Sequence, residues 1–199
     1  MPRGFSEREK EIIRNKLIQK GQDLFAVHGI KRTNIEELTQ AVGISKGAFY
    51  LFFNSKEELF FAIIEQFEAD FRKEVMANLA IASDDPNENF KVIMQKAFAA
   101  WRNNPLLKNF GPEEYQILQR KLPEDLVREH LNSDNDFIVQ ILDCLKAQSL
   151  GITVDPKLAA GLMKALFYVS LHEDEIGNDV YPKTLDVLID LVADYLIPK

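Results

Sequence analysis

Residues able to hold a phosphate or face a base edge crowd into one short stretch, TNIEELTQAVGISKGAFYLFFNSKEEL, at positions 33–59. Lys46 and Tyr50 are four apart and so share a face of a helix. Gly47 and Ala48 between them leave room for a backbone to approach a groove floor. Thr33 and Ser45 offer hydroxyls and helix N-terminal amides to phosphates. Lys56 falls in the first turn of a following helix, pointing back at the same surface. Tyr50 stands among Phe49, Phe52 and Phe53. A short helix buries only part of these four, and the tyrosine carries the polar tip, so Tyr50 is expected to face outward.

The elements that must position these residues are also legible. Thr33 with Glu36 has the spacing of a capping box, followed by an apolar pattern at Ile35, Leu38 and Val42. Gly43 breaks this helix, because glycine alone takes a left-handed backbone cheaply. Ser45 caps a second short helix over residues 45–52. Ser55 with Glu58 opens a third. Two short helices joined by a tight glycine turn have the layout of a helix-turn-helix, whose second helix enters the DNA major groove.

The same stretch resembles the N-terminal domain of the TetR family of transcriptional regulators. The matching residues are the Gly29 turn, Thr33, Ile35, VGISKG at 42–47, Tyr50, Phe53 and SKEEL at 55–59. One departure is that many members have a histidine just after the tyrosine, where this chain has Leu51 and Phe52. The resemblance implies that Thr33, Ser45, Tyr50 and Lys56 hold phosphates and that Lys46 and Ala48 lie near base edges. It also implies a small-molecule inducer between the body helices, and two subunits paired through a four-helix bundle of the final helices.

The net charge of −7 alone argues against a nucleic-acid partner, but its distribution argues for one. Residues 1–56 carry ten Lys or Arg against six Asp or Glu, a balance of +4. The remainder carries 14 against 25, a balance of −11. A basic end on an acidic body is the asymmetry of a DNA-binding head with a body that does not bind DNA. Arg3, Arg8, Lys10, Arg14 and Lys16 gather near the start of the first helix, on a solvated face or along phosphates.

At 199 residues, with 46% apolar and 28% charged content, the chain reads as globular and able to bury a core without disulfides or metals. The single cysteine, Cys144, fits a reducing cytoplasm. The charged start is no signal peptide and no apolar run spans a membrane, so a cytoplasmic protein without a membrane partner is expected.

Helical spacing continues throughout. Ser6 with Glu9 opens a long first helix to about His28, with Gly21 where another helix can pack close. The helix opened by Ser55 should reach about Ala82 and connect head to body. Further helices are expected over 87–103, over a short piece to Phe110, over 113–122, over 126–150, from Asp155 and Pro156 to Leu171, and from Pro182 to about Leu196. Residues 172–178 read as an acidic loop. The fold class is all-α, with a helix-turn-helix DNA-binding domain at 1–54 and a helical ligand-binding and dimerisation domain at 55–199.

Enzyme chemistry finds no support in the residues. His28, His130 and His172 lie far apart and form no metal-binding pair. Cys144 sits beside Leu142 and Leu145 as a small apolar residue, and there is no glycine-rich phosphate loop. No cofactor or metal is expected. Among the aromatics of the body, Trp101, Tyr115 and Tyr168 carry polar tips suited to an otherwise apolar ligand pocket. Leu158, Gly161, Leu162 and Ala165, with Leu185, Leu188, Ile189 and Val192, form apolar stripes on the last two helices and are the candidate dimer interface. The function expected is that of a TetR-like regulator, a repressor that binds a palindromic operator as a homodimer and is released by a small molecule. The alternatives are a helical enzyme or carrier with a vestigial head, or a regulator controlled by a protein partner.

Overall fold

The computed structural model describes residues 5–81, 83–108, 110–148 and 154–198. These form ten helices and no strand, as the all-α reading requires. No helix among them is long and apolar enough to cross a membrane.

Helix α1 (Glu7–Arg32) opens with the expected capping box. The Ser6 hydroxyl accepts the Glu9 N–H at 3.3 Å, and the Glu9 carboxylate accepts the Ser6 N–H at 2.7 Å. Its regular course breaks at Gly29, whose φ of +69° favours glycine. Helix α2 (Ile35–Val42) is capped by Asn34 and Glu37, one residue on from the expected Thr33 and Glu36. The reason is that the Thr33 side chain turns inward. Thr33 is fully buried, and its hydroxyl donates to the Gly29 carbonyl at 2.9 Å.

Gly43 ends α2 in the left-handed region at φ +79°, its N–H bonded to the Thr39 carbonyl at 2.9 Å. Helix α3 (Lys46–Phe49) follows, with the Ser45 hydroxyl accepting the Ala48 N–H at 3.2 Å. It is shorter than the expected 45–52. Residues 50–52 continue as turns, with the Leu51 N–H on Ala48 and the Phe52 N–H on Phe49. Helix α4 (Lys56–Leu79) starts where Ser55 accepts the Glu58 N–H at 3.0 Å. The return bond of this cap goes to the Asn54 N–H, not to that of Ser55. Helix α4 ends at Leu79, a little short of the expected Ala82, which itself lies outside the described residues.

Helix α5 (Pro86–Asn103) is followed by turns, not the expected helical piece, because both the Leu107 and Lys108 N–H groups return to the Asn104 carbonyl. Helices α6 (Pro112–Lys121), α7 (Glu124–Ala147) and α8 (Pro156–Leu171) come next, the last capped by Asp155 as expected. Helix α7 stops at Ala147 with Gln148 as its cap, short of the expected Leu150, which itself lies outside the described residues. The acidic stretch holds a single helical turn, α9 (Glu173–Ile176), before α10 (Tyr181–Leu196).

Packing groups these helices into two compact units, residues 1–68 with 103–122, and 69–102 with 123–199. The sequence division after residue 54 follows motif, whereas packing follows buried side chains. In the first unit, Leu106, Leu107 and Leu118 are buried, and Phe110 stacks on Phe60 at 5.9 Å. Lys31 at the end of α1 also pairs with Glu113 and Glu114 in the first turn of α6. Burial works against the Glu114 charge, but Lys31 and the Gly111 N–H outweigh it and hold this carboxyl below its usual range. Gly21 lets α1 approach α4, since a Cβ there would stand 3.1 Å from both Leu59 and Ile63. In the second unit, Phe90, Ile93 and Met94 of α5 pack with Leu142 and Leu145 of α7, Leu166 of α8 and Ile189 of α10.

Lys56 ties the first unit together. Its ammonium has three N–H groups and finds three carbonyls, those of Ile30 at 2.6 Å, Thr33 at 2.7 Å and Lys31 at 3.1 Å. These are carbonyls left open where α1 ends. Lys56→Met is therefore expected to lower stability by about 1–3 kcal/mol, since charge-assisted bonds are lost and the carbonyls are left in a partly dry place. A urea titration checks this. The midpoint should fall with an unchanged m-value, and an unchanged midpoint would refute the role.

Candidate nucleic-acid interface

The surface around α3 is built from the inside outward. Phe49 is fully buried and Phe53 nearly so, their rings 6.1 Å apart. With these two inward, the opposite side of α3 must face solvent. Tyr50 stands there 49% exposed, its ring edge-on to Phe49 at 5.6 Å. Lys46 lies one turn before it and is exposed. Gly47 is open as well. A Cβ added there would meet nothing nearer than the Ser45 hydroxyl at 3.9 Å, so the fold itself does not require glycine at this position. Ala48 and Leu51 flank the same short helix, Leu51 being 66% exposed.

The structure divides the sequence-derived site residues into two groups. Ser45, Lys46, Gly47, Ala48 and Tyr50 come together on or beside α3. Thr33 and Lys56 also meet, but through the Thr33 carbonyl, beneath the end of α1. The Thr33 hydroxyl and the Lys56 ammonium are thus hydrogen-bonded inside the unit, where Lys56 still contributes positive charge.

Two contacts of this surface carry no signal in the sequence. Glu36, in the first turn of α2, pairs with Lys46. Lys46 raises the charge preference of this carboxylate, holding its pKa below the usual range, and Glu36 in turn holds the Lys46 ammonium above its usual value. The two are ten residues apart on different helices, so no helical spacing signals the pair. Arg14 of α1 lies over the Phe53 ring at 5.3 Å, next to the turn that carries Tyr50. Elsewhere on α1, Lys10 pairs with Glu7 and Lys20 with Asp23, which is the pattern of a solvated face.

The candidate ligand residues fall in different units. Trp101 meets Phe167 edge-on at 5.6 Å, and Tyr168 lies 5.9 Å from that same ring, both in the second unit. Tyr115 belongs to α6 in the first. The candidate interface residues also separate. Leu185, Ile189 and Val192 are buried in the core of their own unit, with Leu162 and Leu188 partly buried against it. Leu158, Gly161 and Ala165 are exposed along one face of α8, and a Cβ on Gly161 would meet nothing within 4 Å. On α10 the exposed apolar residues are Val187, Leu191 and Tyr195, spaced four apart. This second stripe was hidden in the sequence by the stronger core stripe on the other side of the helix.

Comparison with known proteins agrees with this geometry. The sequence profile described as "Bacterial regulatory proteins, tetR family" matches residues 17–63, which hold most of α1, all of α2 and α3, and the start of α4. The chain is 30% identical over 192 residues to the HTH-type transcriptional repressor DhaR of Mycobacterium sp. (strain GP1), covering 94% of this chain and 93% of that protein. A TetR-family regulator from Pectobacterium atrosepticum has the same fold, with a TM-score of 0.74 at 20% identity, covering 98% of this chain and 99% of that one. SmeT, the repressor of the Stenotrophomonas maltophilia multidrug efflux pump SmeDEF, has a TM-score of 0.60 at 22% identity, covering 91% of this chain and 86% of its own. A structure of SmeT in complex with triclosan is similar at a TM-score of 0.59 and 19% identity, over 91% of this chain and 90% of that one. A one-turn recognition helix set on buried phenylalanines, within a chain alike over nearly its whole length to an HTH-type repressor, places this protein in the TetR family of bacterial transcriptional regulators.

Proposed function

We propose that the protein is a repressor that binds a palindromic operator as a homodimer in the cytoplasm and leaves it when a small molecule binds. Residues 1–54 act as the DNA-binding part and residues 55–199 as the ligand-binding and dimerisation part. The observation that carries the DNA contact is the open outer face of α3, where Lys46, Gly47 and Tyr50 stand exposed over a buried Phe49. Ser45 and Tyr50 face phosphates, and Lys46 and Ala48 face base edges. The repressor reading is supported by the likeness to DhaR, which bears that description.

The surface makes stability and binding separable. Gly47→Ala should keep or raise the melting temperature, because alanine is the better helix former and the space is open. The same change should weaken operator binding by bringing a methyl group between the helix and the groove floor. Tyr50→Ala should weaken binding by roughly 1–3 kcal/mol. Binding of the wild type should fall steeply with salt as phosphate contacts release counterions. Fluorescence anisotropy with operator DNA reads all three effects, and normal binding by both variants would remove α3 from the DNA.

The homodimer is supported by the exposed stripes of α8 and α10. Leu158, Val187, Leu191 and Tyr195 are large apolar groups left open to water by the unit's own core. Aligned apolar faces on two neighbouring helices suit a second copy of the same surface. Leu191 is 61% exposed, so Leu191→Arg disturbs little within the subunit. It should convert dimers to monomers in sedimentation and weaken operator binding with the melting curve of the monomer intact. A wild type that is monomeric at micromolar concentration would refute the dimer.

The ligand reading rests on the aromatic group of Trp101, Phe167 and Tyr168 within the second unit, and on the triclosan complex of the similar SmeT. Trp101 is the sole tryptophan, so its emission reports occupancy. Coupling between ligand and DNA is reciprocal. A compound that weakens operator binding tenfold must bind the DNA complex tenfold more weakly, about 1.4 kcal/mol. Titrating triclosan against Trp101 emission, with and without operator, should give two dissociation constants. Equal constants would show binding without release for that compound.

A further inference from the structure

Glu36 is out of place on a surface meant for a polyanion. Its carboxylate is 63% exposed and lies beside the groove-facing side of α3, held there by Lys46, itself 55% exposed. An exposed pair of this kind adds little stability, so holding α2 to α3 does not by itself account for it. The backbone turn at Gly43 and the buried Leu38 and Phe49 already fix the two helices.

The chemistry of the pair is more specific than that of either member. A carboxylate has about four acceptor positions, and Lys46 uses one of them. An ammonium has three N–H groups, and Glu36 takes one. The pair therefore presents N–H donors next to a free acceptor. Lys46 stays charged because Glu36 favours its protonated form, and Glu36 stays ionised because Lys46 favours its carboxylate.

In the major groove a G·C pair shows two adjacent acceptors, guanine N7 and O6, and then the cytosine N4 amino donor. This sequence is complementary to an ammonium with two remaining N–H groups beside a carboxylate. An A·T pair places its amino group between two acceptors and gives the ammonium only one of them on either side. We propose that Glu36 is a specificity-determining residue of this regulator, reading one G·C pair in each half-site jointly with Lys46. Glu36 accepts from cytosine N4 and Lys46 donates to guanine O6 and N7. The proposal rests on α3 entering the major groove.

The test is selection of binding sites from a randomised duplex library by the full-length wild type and by Glu36→Ala, Glu36→Gln and Lys46→Ala. The wild type should enrich a site with one G·C position per half that both alanine variants lose, with the other positions unchanged. Discrimination at that position should fall by about tenfold or more, the size of one good base contact. Glu36→Gln keeps the shape and adds a donor, and glutamine pairs with adenine N6 and N7, so the preference should shift from G·C to A·T. Circular dichroism melts confirm that each variant is folded; Glu36→Gln, exposed and isosteric, serves should the alanine variant melt early. The proposal is overturned if the Glu36 variants select the wild-type site, or if affinity changes equally for all sequences, which would make Glu36 only a brake on the charge of Lys46. A wild type that enriches no sequence fails the assignment of α3 itself, whereas enrichment that is indifferent to Glu36 fails this proposal alone.

Discussion

A helix of four residues cannot hold itself in water, and α3 is that short. Forming a first turn fixes several backbone dihedrals for one hydrogen bond, so isolated helices of this length do not persist. What holds α3 is the burial of Phe49, with Phe53 beneath it in the following turn. Burying the two aromatic side chains contributes about 3–6 kcal/mol, comparable to the backbone cost of ordering about three residues. The left-handed Gly43 and the Ser45 cap then decide where the helix begins. Because Phe49 faces in, Lys46 and Tyr50 face out, so the presentation of the polar surface follows from the packing of the apolar one.

The same economy appears in the charges. Lys56 and Thr33 look like phosphate ligands from their chemistry, yet both are hydrogen-bonded to the carbonyls that the Gly29 break leaves open. A positive charge near the surface attracts phosphate through the field without a direct bond. In the second unit charge is used in a similar way. Lys91 is nearly buried and pairs with Asp194 at 3.0 Å and Asp190 at 3.5 Å, while Asn87 donates to Asp194 and to the Ile197 carbonyl. Two of the acidic residues that make the body negative therefore secure α10 to α5.

Local signals were legible in the sequence wherever one residue type has one conformational use. Ser6 with Glu9, Gly43, Ser45 and Asp155 are in this class, and each occupies the position its chemistry requires. The misplacement at Thr33 has a physical cause. Thr33 with Glu36 and Asn34 with Glu37 both have cap spacing, and only the burial of the Thr33 hydroxyl chooses between them. That burial depends on the break at Gly29, a tertiary fact. The Glu36–Lys46 pair was invisible for the same reason, since two helices must first be folded to bring it together. On α10 the sequence revealed the stronger of two apolar stripes, but the weaker one faces water.

That weaker stripe bears on what a one-turn recognition helix can achieve. Each good base contact discriminates by about 1–3 kcal/mol, and α3 offers only a few side chains for such contacts. A single head thus has too little specificity to find one site among the many non-specific ones of a genome. Joining two heads makes the second binding event intramolecular and multiplies the discrimination without new chemistry on α3. The homodimer proposed above, seated on the apolar groups exposed on α8 and α10, would cover them and supply the second head. On that proposal the sparse contacts of α3 and the exposed Leu191 and Tyr195 answer one another, because association would complete the specificity that one head lacks.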